Sequence, residues 1–129
     1  MSFLGFMAVG GGAALGAWLR WALGVFLNPL FPTLPMGTLA ANLLGGYLMG
    51  MALAVLSHFE ALPAETRLLL TTGFLGGLTT FSTFSAEATT LLARQQTGWA
   101  VAHTFLHVAG SVIMTFAGIA SMRFVLSPR

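Results

Sequence analysis

The chain has 129 residues, of which 57% are hydrophobic and only 6% are charged, whereas a soluble domain carries about 25% charged residues. Such sparse charge excludes a soluble globular domain, and the high apolar content excludes a disordered chain. One membrane-spanning helix takes about 20 apolar residues, so four spans fill the chain and leave no room for a soluble catalytic domain. Composition therefore predicts one all-α integral membrane domain covering residues 1–129.

The motifs of other function classes are missing from the sequence. No cysteine is present, so disulfides and thiolate chemistry are excluded. The chain contains no GxxxxGK[ST] phosphate loop, no Ser, His and Asp constellation and no basic patch that would bind nucleic acid. We therefore expect no catalytic residues and neither a nucleotide nor a nucleic acid as a partner.

Four long apolar stretches predict four transmembrane helices. Three prolines within segment 28–35 end the first helix, polar loop 57–63 follows the second, and segment 94–98 separates the last two. Glycines four residues apart in the first two helices indicate close helix contacts. The predicted spans run from about Phe3 to Leu27, Met36 to Leu56, Arg67 to Ala93 and Trp99 to Leu126.

Arginine positions give almost no orientation signal. Four spans place Arg67, Arg123 and Arg129 on one side of the membrane, and Arg20 and Arg94 on the other. A difference of three against two barely biases insertion under the positive-inside rule. Two interpretations stay open: a weakly specified single topology, or insertion in both orientations with an antiparallel dimer of the two forms.

The third span has an unusual centre. Segment 71–85 contains three glycines and seven hydroxyl residues. Glycine costs about 1 kcal/mol relative to alanine inside a helix, so the coincidence predicts a break near mid-membrane. A break frees backbone carbonyls, which suit a small hard cation such as Na⁺. The alternative is a continuous helix whose hydroxyls bond to carbonyls of the preceding turn.

Two phenylalanines follow the predicted break. Phe81 and Phe84 are three residues apart and share a helix face. The edge of a phenyl ring is electropositive, so two edges beside a narrow path can contact an anion, although packing alone is the alternative. We expect the neighbouring hydroxyls of Ser82 and Thr83 to lie on the same ion pathway.

Polar residues in the second and fourth spans are further pathway candidates. His103, His107, Ser111 and Thr115 recur every four residues and form a slowly winding stripe. This stripe can pass an ion, relay protons through histidine, or only form hydrogen bonds between helices. Asn42 is the single amide within the second span, and it either serves an anion or holds two helices together.

Two charged residues are expected near the ends of the pathway. Arg20 lies between Trp18 and Trp21, a cluster typical of an anchor at the membrane interface. Glu87 lies about 30 Å from Arg67 by helical rise, which places it near the opposite interface. Both residues fit a vestibule or an interface, and neither is positioned as a mid-membrane carboxylate for proton coupling.

These motifs together resemble the bacterial fluoride channel family (Fluc, also called CrcB). The resemblance covers all four spans. The resemblance is carried by GGAALGAWLR (11–20), GTLAANLLG (37–45) and GFLGGLTTFSTFS (73–85). The last of these, in the third span, is the most specific.

The resemblance implies a four-helix subunit that inserts both ways in the inner membrane and pairs as an antiparallel homodimer with two pores. Fluoride would pass outward passively, which protects the cell. By similarity, Phe81 and Phe84 would present ring edges to the pore and Asn42 would add an amide donor. Ser111 and Thr115 would form a polar track. At the neighbouring position the family often has tyrosine or another polar residue, and this chain has His107. The carbonyls of Gly76 and Thr79 from both subunits would hold a structural Na⁺ at the dimer interface.

Two alternatives from other classes remain open. The first is a small dual-topology secondary transporter that uses His103 or His107 as its proton site. The second is a membrane scaffold without transport. The lack of a mid-membrane carboxylate counts against the transporter.

Overall fold

The computed structural model describes residues 2–127, and every regular element in that range is helical. A short 3₁₀ turn, Asn28–Leu30, follows the first helix. The third helix is composite, because a π-helical stretch, Leu69–Leu75, joins the α-helical turns Ala64–Leu68 and Gly76–Leu78. The helices are α1 (Phe3–Leu27), α2 (Met36–His58), α3 (64–78), α4 (Phe81–Ala93) and α5 (Thr97–Leu126).

Side-chain hydrogen bonds lie at both ends of α1. The hydroxyl of Ser2 accepts a hydrogen bond from the Gly5 N–H at 3.0 Å and satisfies one of the free donors of the first turn. At the other end Pro29 stops the helix, and the Asn28 side-chain oxygen accepts from the Gly37 N–H at 2.8 Å. The end of α1 is thereby tied to the start of α2.

Glycines allow α2 and α5 to pack backbone against backbone. A Cβ added to Gly46 would lie 2.8 Å from the Ser111 carbonyl oxygen, and one added to Gly50 would overlap the Thr115 carbonyl oxygen. Such contact distances are open only to residues without a side chain. The close helix contact predicted from this glycine pair is confirmed.

The contact between α1 and α3 uses glycines from both helices. A Cβ on Gly12 would lie 2.8 Å from the Phe74 nitrogen, and a Cβ on Gly16 would overlap the Phe74 carbonyl oxygen. On the facing helix, a Cβ on Gly77 would overlap the carbonyl oxygen of Ala13. Dispersion contacts at this range are a main source of helix association in lipid.

The helix ends differ by a few residues from the predicted spans. Helix α2 continues to His58, two residues beyond Leu56. Pro63 is the N-terminal cap of α3, so the third helix begins at the proline and acid that mark a helix start. Helix α5 begins at Thr97, because Gln95 takes a left-handed φ of 59° and reverses the chain early.

Within residues 2–127, three helical segments are long and apolar enough to cross a membrane by length and composition: Phe3–Leu30, Met36–His58 and Thr97–Leu126. The predicted third span, 67–93, is divided between α3 and α4, and neither part reaches that length. Large apolar side chains cover the outside of the bundle, as expected for a surface that faces lipid or another apolar surface.

The four arginines in the described range have distinct surroundings. Arg67 donates to the Glu60 carbonyl oxygen at 2.8 Å, and Arg123 lies in the last turn of α5. Arg94 caps the end of α4, and Arg20 is half-buried within α1. Arg129, the fifth residue in the predicted arginine distribution, lies outside the described residues.

Candidate functional site

The chain is extended between α3 and α4. Thr79 has φ −84° and ψ 154°, and Thr80 has φ −149° and ψ 121°. Helix α4 restarts with Thr80 as its N-terminal cap, because the Thr80 hydroxyl accepts from the Thr83 N–H at 3.1 Å. The two helices are therefore joined by two non-helical residues whose backbone groups need partners outside the helices.

Asn42 of α2 supplies partners for both backbone groups of Thr80. Its side-chain oxygen accepts from the Thr80 N–H at 2.8 Å, and its side-chain nitrogen donates to the Thr80 carbonyl oxygen at 3.0 Å. The same nitrogen lies 3.0 Å from His107 Nδ1. Asn42 thus joins α2 to the extended segment and to α5.

Two carbonyls beside the extended segment lose their usual donors. In a continuous α-helix the Thr80 N–H would bond to the Gly76 carbonyl and the Thr83 N–H to the Thr79 carbonyl. Here those N–H groups donate instead to Asn42 and to the Thr80 hydroxyl. The carbonyls that the resemblance assigns to Na⁺, those of Gly76 and Thr79, are therefore released from helical hydrogen bonding.

Arg20 binds the backbone of α3. Its Nε donates to the Gly77 carbonyl oxygen at 3.1 Å. Arg20 also lines a cavity of about 450 Å³ together with Thr38, Thr80 and Thr83. The side chain that the sequence places at an interface or vestibule therefore contacts the helix that precedes the extended segment.

Aromatic rings cluster at the start of α4. Phe81 is 77% exposed, and its ring meets the buried Phe84 ring edge-on at a centroid distance of 5.4 Å. Phe84 stacks on His103 at 5.4 Å and lies 4.8 Å from the ring of His107. The buried phenylalanine therefore joins the exposed ring of Phe81 to the two histidines of α5.

A polar cluster lies behind these rings. The Glu87 carboxyl accepts from the Thr38 hydroxyl at 2.6 Å, and its second oxygen lies 3.3 Å from His103 Nε2. One side-chain atom from each of Glu87, His103 and His107 falls within 4.8 Å of the other two. Both histidines are almost fully buried. Such a group can hold a cation or a small hydrogen-bonding guest, depending on which nitrogens carry protons.

An open groove of about 460 Å³ brings most of the predicted pathway residues together. None of the described residues that line it is Arg, Lys, Asp or Glu. The Thr115 hydroxyl donates to the Ser111 carbonyl at 2.9 Å, so its single proton is already engaged. The candidate residues on its walls are Asn42, Phe81, Phe84, His107, Ser111 and Thr115, with Thr79 and Thr80 beside them.

The remaining candidates lie outside this groove. Ser82 is exposed, with its hydroxyl 3.3 Å from that of Thr80. Thr83 lines the Arg20 cavity as well as a third cavity, of about 220 Å³, that includes Glu87. Their assignments to the ion pathway or vestibule stay predictions.

Two residues of the site were not selected from the sequence. Thr38 binds Glu87, and Thr80 connects Asn42 to the cap of α4. Thr38 lies within the GTLAANLLG segment, four residues and about one turn before Asn42, so its shared helix face was a usable signal. For Thr80, the adjacent pair Thr79 and Thr80 indicated a break, but it did not indicate which of the two would cap the helix that follows.

Comparison with known proteins shows which proteins this chain is similar to. A family model described as "CrcB-like protein, Camphor Resistance (CrcB)" matches residues 7–119. A Nitrosospira multiformis protein is 58% identical over 125 residues, covering 97% of this chain and 98% of the relative. An Aromatoleum aromaticum protein is 62% identical over 116 residues, covering 90% and 88%. A Pseudomonas putida protein is 56% identical over 119 residues, covering 92% and 94%. All three relatives bear the name "Fluoride-specific ion channel FluC".

Proposed function

The chain belongs to the CrcB family of multi-pass membrane proteins, and from that premise we propose that it is a fluoride channel. Fluoride leaves the cell through it passively, across the inner membrane, which lowers cytoplasmic fluoride and protects against its toxicity. The relatives are named as ion channels, and ion channels are not enzymes. We therefore propose that this chain acts without catalysis.

The observation that carries this proposal is the chemistry of the groove. Its walls include the rings of Phe81 and Phe84 and the hydroxyl of Ser111, whereas the hydroxyl proton of Thr115 is already donated to the Ser111 carbonyl. No formal charge lines it, so an anion meets several weak donors and no deep electrostatic trap. Conduction requires that each contact be favourable enough to admit the ion and weak enough to release it.

A second copy in antiparallel orientation is proposed to close the groove. The groove is open on one side, where the ring of Phe81 is largely exposed. A second copy packed against this open side would cover the ring of Phe81 and complete the wall of the groove. Two copies related by a two-fold axis would line two pores, and the near-even arginine distribution permits both insertions.

A structural Na⁺ is proposed on the axis of this dimer. The freed carbonyls of Gly76 and Thr79 are hard oxygen donors without helical partners, and Gly76 is exposed, so the donor set fits a small cation. One copy offers two such oxygens, and two copies together would offer four. Na⁺ bound there would hold both extended segments in place.

The interruption at Thr79 and Thr80 is proposed to lie near mid-membrane within a third span that comprises α3 and α4. The chain then crosses the bilayer four times. Thr83 and Arg20 share one cavity and Glu87 lines the next, so these three side chains are proposed to form the vestibule. Ser82 contributes a hydroxyl at the start of α4.

Fluoride release from loaded liposomes, followed with a fluoride-selective electrode, tests the function. The purified protein should release trapped fluoride without moving protons, and the double variant Phe81→Ile with Phe84→Ile should abolish release while the protein still elutes as a folded species. Release no faster than from protein-free liposomes would overturn the proposal. Coupled proton movement that His107→Ala abolishes would instead favour a transporter.

Orientation can be tested separately. Because the chain has no cysteine, one cysteine introduced at Gly98, in the first turn of α5, provides a unique label. Dual topology predicts that an impermeant maleimide labels about half of the copies in intact cells. Labelling of nearly all or nearly none would contradict the antiparallel dimer.

A further inference from the structure

Three buried polar atoms near the pathway have no hydrogen-bond partner among the described residues. They are Glu87 Oε2, His103 Nε2 and His107 Nε2. Glu87 and His103 approach to 3.3 Å, but without hydrogen-bond geometry. Leaving a buried polar group without a partner is unfavourable, so three together indicate a guest. Two classes fit the residue types: a transition-metal cation, or a small guest that forms hydrogen bonds with these side chains.

Asn42 decides between these classes. Its side-chain oxygen must face the Thr80 N–H, and its side-chain nitrogen must face the Thr80 carbonyl. If the amide were flipped, its nitrogen would face the Thr80 N–H and its oxygen would face the Thr80 carbonyl, so neither bond could form. The two bonds therefore identify the side-chain nitrogen. The second hydrogen on that nitrogen then points at His107 Nδ1, 3.0 Å away. Only an Nδ1 without a proton can receive it.

We propose that Asn42, held by the backbone of Thr80, is a positioning residue that fixes His107 as the neutral tautomer with its proton on Nε2. The tautomer of a histidine is set by the hydrogen bond that its other nitrogen makes. The buried cluster therefore receives a donor from His107 and not a lone pair. The extended segment of the third span thus determines the chemistry of a side chain on α5.

This tautomer makes the cluster unsuitable for a metal. A metal ligand must present a lone pair, and a proton on His107 Nε2 blocks it. The 3.3 Å between Glu87 Oε2 and His103 Nε2 suits either kind of guest, so the proton on His107 decides between them. The cluster fits a hydrogen-bonding guest better than a metal.

The guest must accept a hydrogen bond from His107, which also lines the groove. Resting on the proposed function, we assign this role to fluoride, with water as the other small acceptor of that size. Glu87 opposes an anion, although Thr38 already donates to one of its oxygens at 2.6 Å. The Nε2–H of His107 is then the donor that compensates for the nearby carboxylate.

Nitrogen-15 NMR of protein labelled at histidine tests the tautomer directly. The chain has three histidines, and the signals of His107 are identified by their loss in His107→Gln. At neutral pH, His107 of the native protein should carry its proton on Nε2. A proton on Nδ1 would overturn the proposal. Because this readout needs no fluoride flux, it remains decisive even if the channel proposal fails.

The variant Asn42→Asp supplies the opposite chemistry. A carboxylate oxygen facing His107 Nδ1 is an acceptor, so the proton should move to Nδ1 and leave a lone pair on Nε2. With Glu87 and His103 the cluster should then bind Zn²⁺ about 10- to 100-fold more tightly than the native cluster. Calorimetry in a His58→Gln background, which removes the exposed histidine, measures the difference. Equal Zn²⁺ affinity in both proteins would contradict the proposal.

A fluoride titration followed at the His107 Nε2–H signal tests the guest. Fluoride should shift the signal, whereas equal chloride should not. Because glutamine places an N–H near Nε2 and asparagine places its N–H near Nδ1, fluoride efflux should fall further in His107→Asn than in His107→Gln. A signal unmoved by fluoride would indicate water alone and overturn this assignment.

Discussion

The hydrogen bonds of Asn42 make a quantitative prediction about stability. Replacing Asn42 by leucine, which has the same branching, removes both bonds to Thr80 and the contact to His107. The Thr80 N–H and carbonyl are then left without partners, at about 1–3 kcal/mol each, so the free energy of unfolding should fall by about 2–6 kcal/mol.

Asn28 provides a matched control for this substitution. Its side chain makes one such bond, to the Gly37 N–H at 2.8 Å, so Asn28→Leu should cost about 1–3 kcal/mol. Both variants can be unfolded by titration with sodium dodecyl sulfate in detergent and followed by circular dichroism. If Asn42→Leu loses no more stability than Asn28→Leu, the assigned role of Asn42 at the extended segment is wrong.

Three further predictions concern the helices and the bound ion. Gly16→Ala should destabilise the protein by about 1–3 kcal/mol, since the added Cβ would overlap α3. Gly10→Ala, with open space around it, should stabilise the protein by up to about 1 kcal/mol. If thermal unfolding shows that both variants shift stability in the same direction, the contact at Gly16 is refuted. Thr80→Ala should cost about 1 kcal/mol through the lost cap and Thr80→Ser should cost less, and denaturant unfolding that ranks the two variants the other way would contradict the cap. Replacing Na⁺ by N-methylglucamine should weaken the dimer measured by light scattering in detergent, and an unchanged dimer would argue against the structural ion.

Much of the site could be predicted because its signals lie close together in the sequence. The coincidence of glycine and hydroxyl residues in 71–85 pointed to the segment where α3 and α4 are joined by two extended residues. Phe81 and Phe84 are three apart on one helix, so their shared face follows from helical geometry alone. The glycine spacing in α1 and α2 likewise indicated which faces pack.

The rest depended on contacts between distant segments. Nothing in the sequence pairs Asn42 with both backbone groups of Thr80, which is 38 residues away. Glu87 and His103 meet because α4 packs on α5, and their spacing along the chain carries no metal or catalytic signature. The π-helical stretch Leu69–Leu75 replaces a regular helix where α3 packs on α1, and local propensity gives no warning of it.

The reversal potential of single-channel currents in a planar bilayer tests the central claim most directly. With a tenfold fluoride gradient and symmetrical pH, a passive fluoride channel predicts a reversal potential close to the fluoride equilibrium potential, about 59 mV in magnitude. An added pH gradient should leave that value unchanged. A reversal potential that follows the chloride or proton gradient, or a bilayer without fluoride current, would contradict the account.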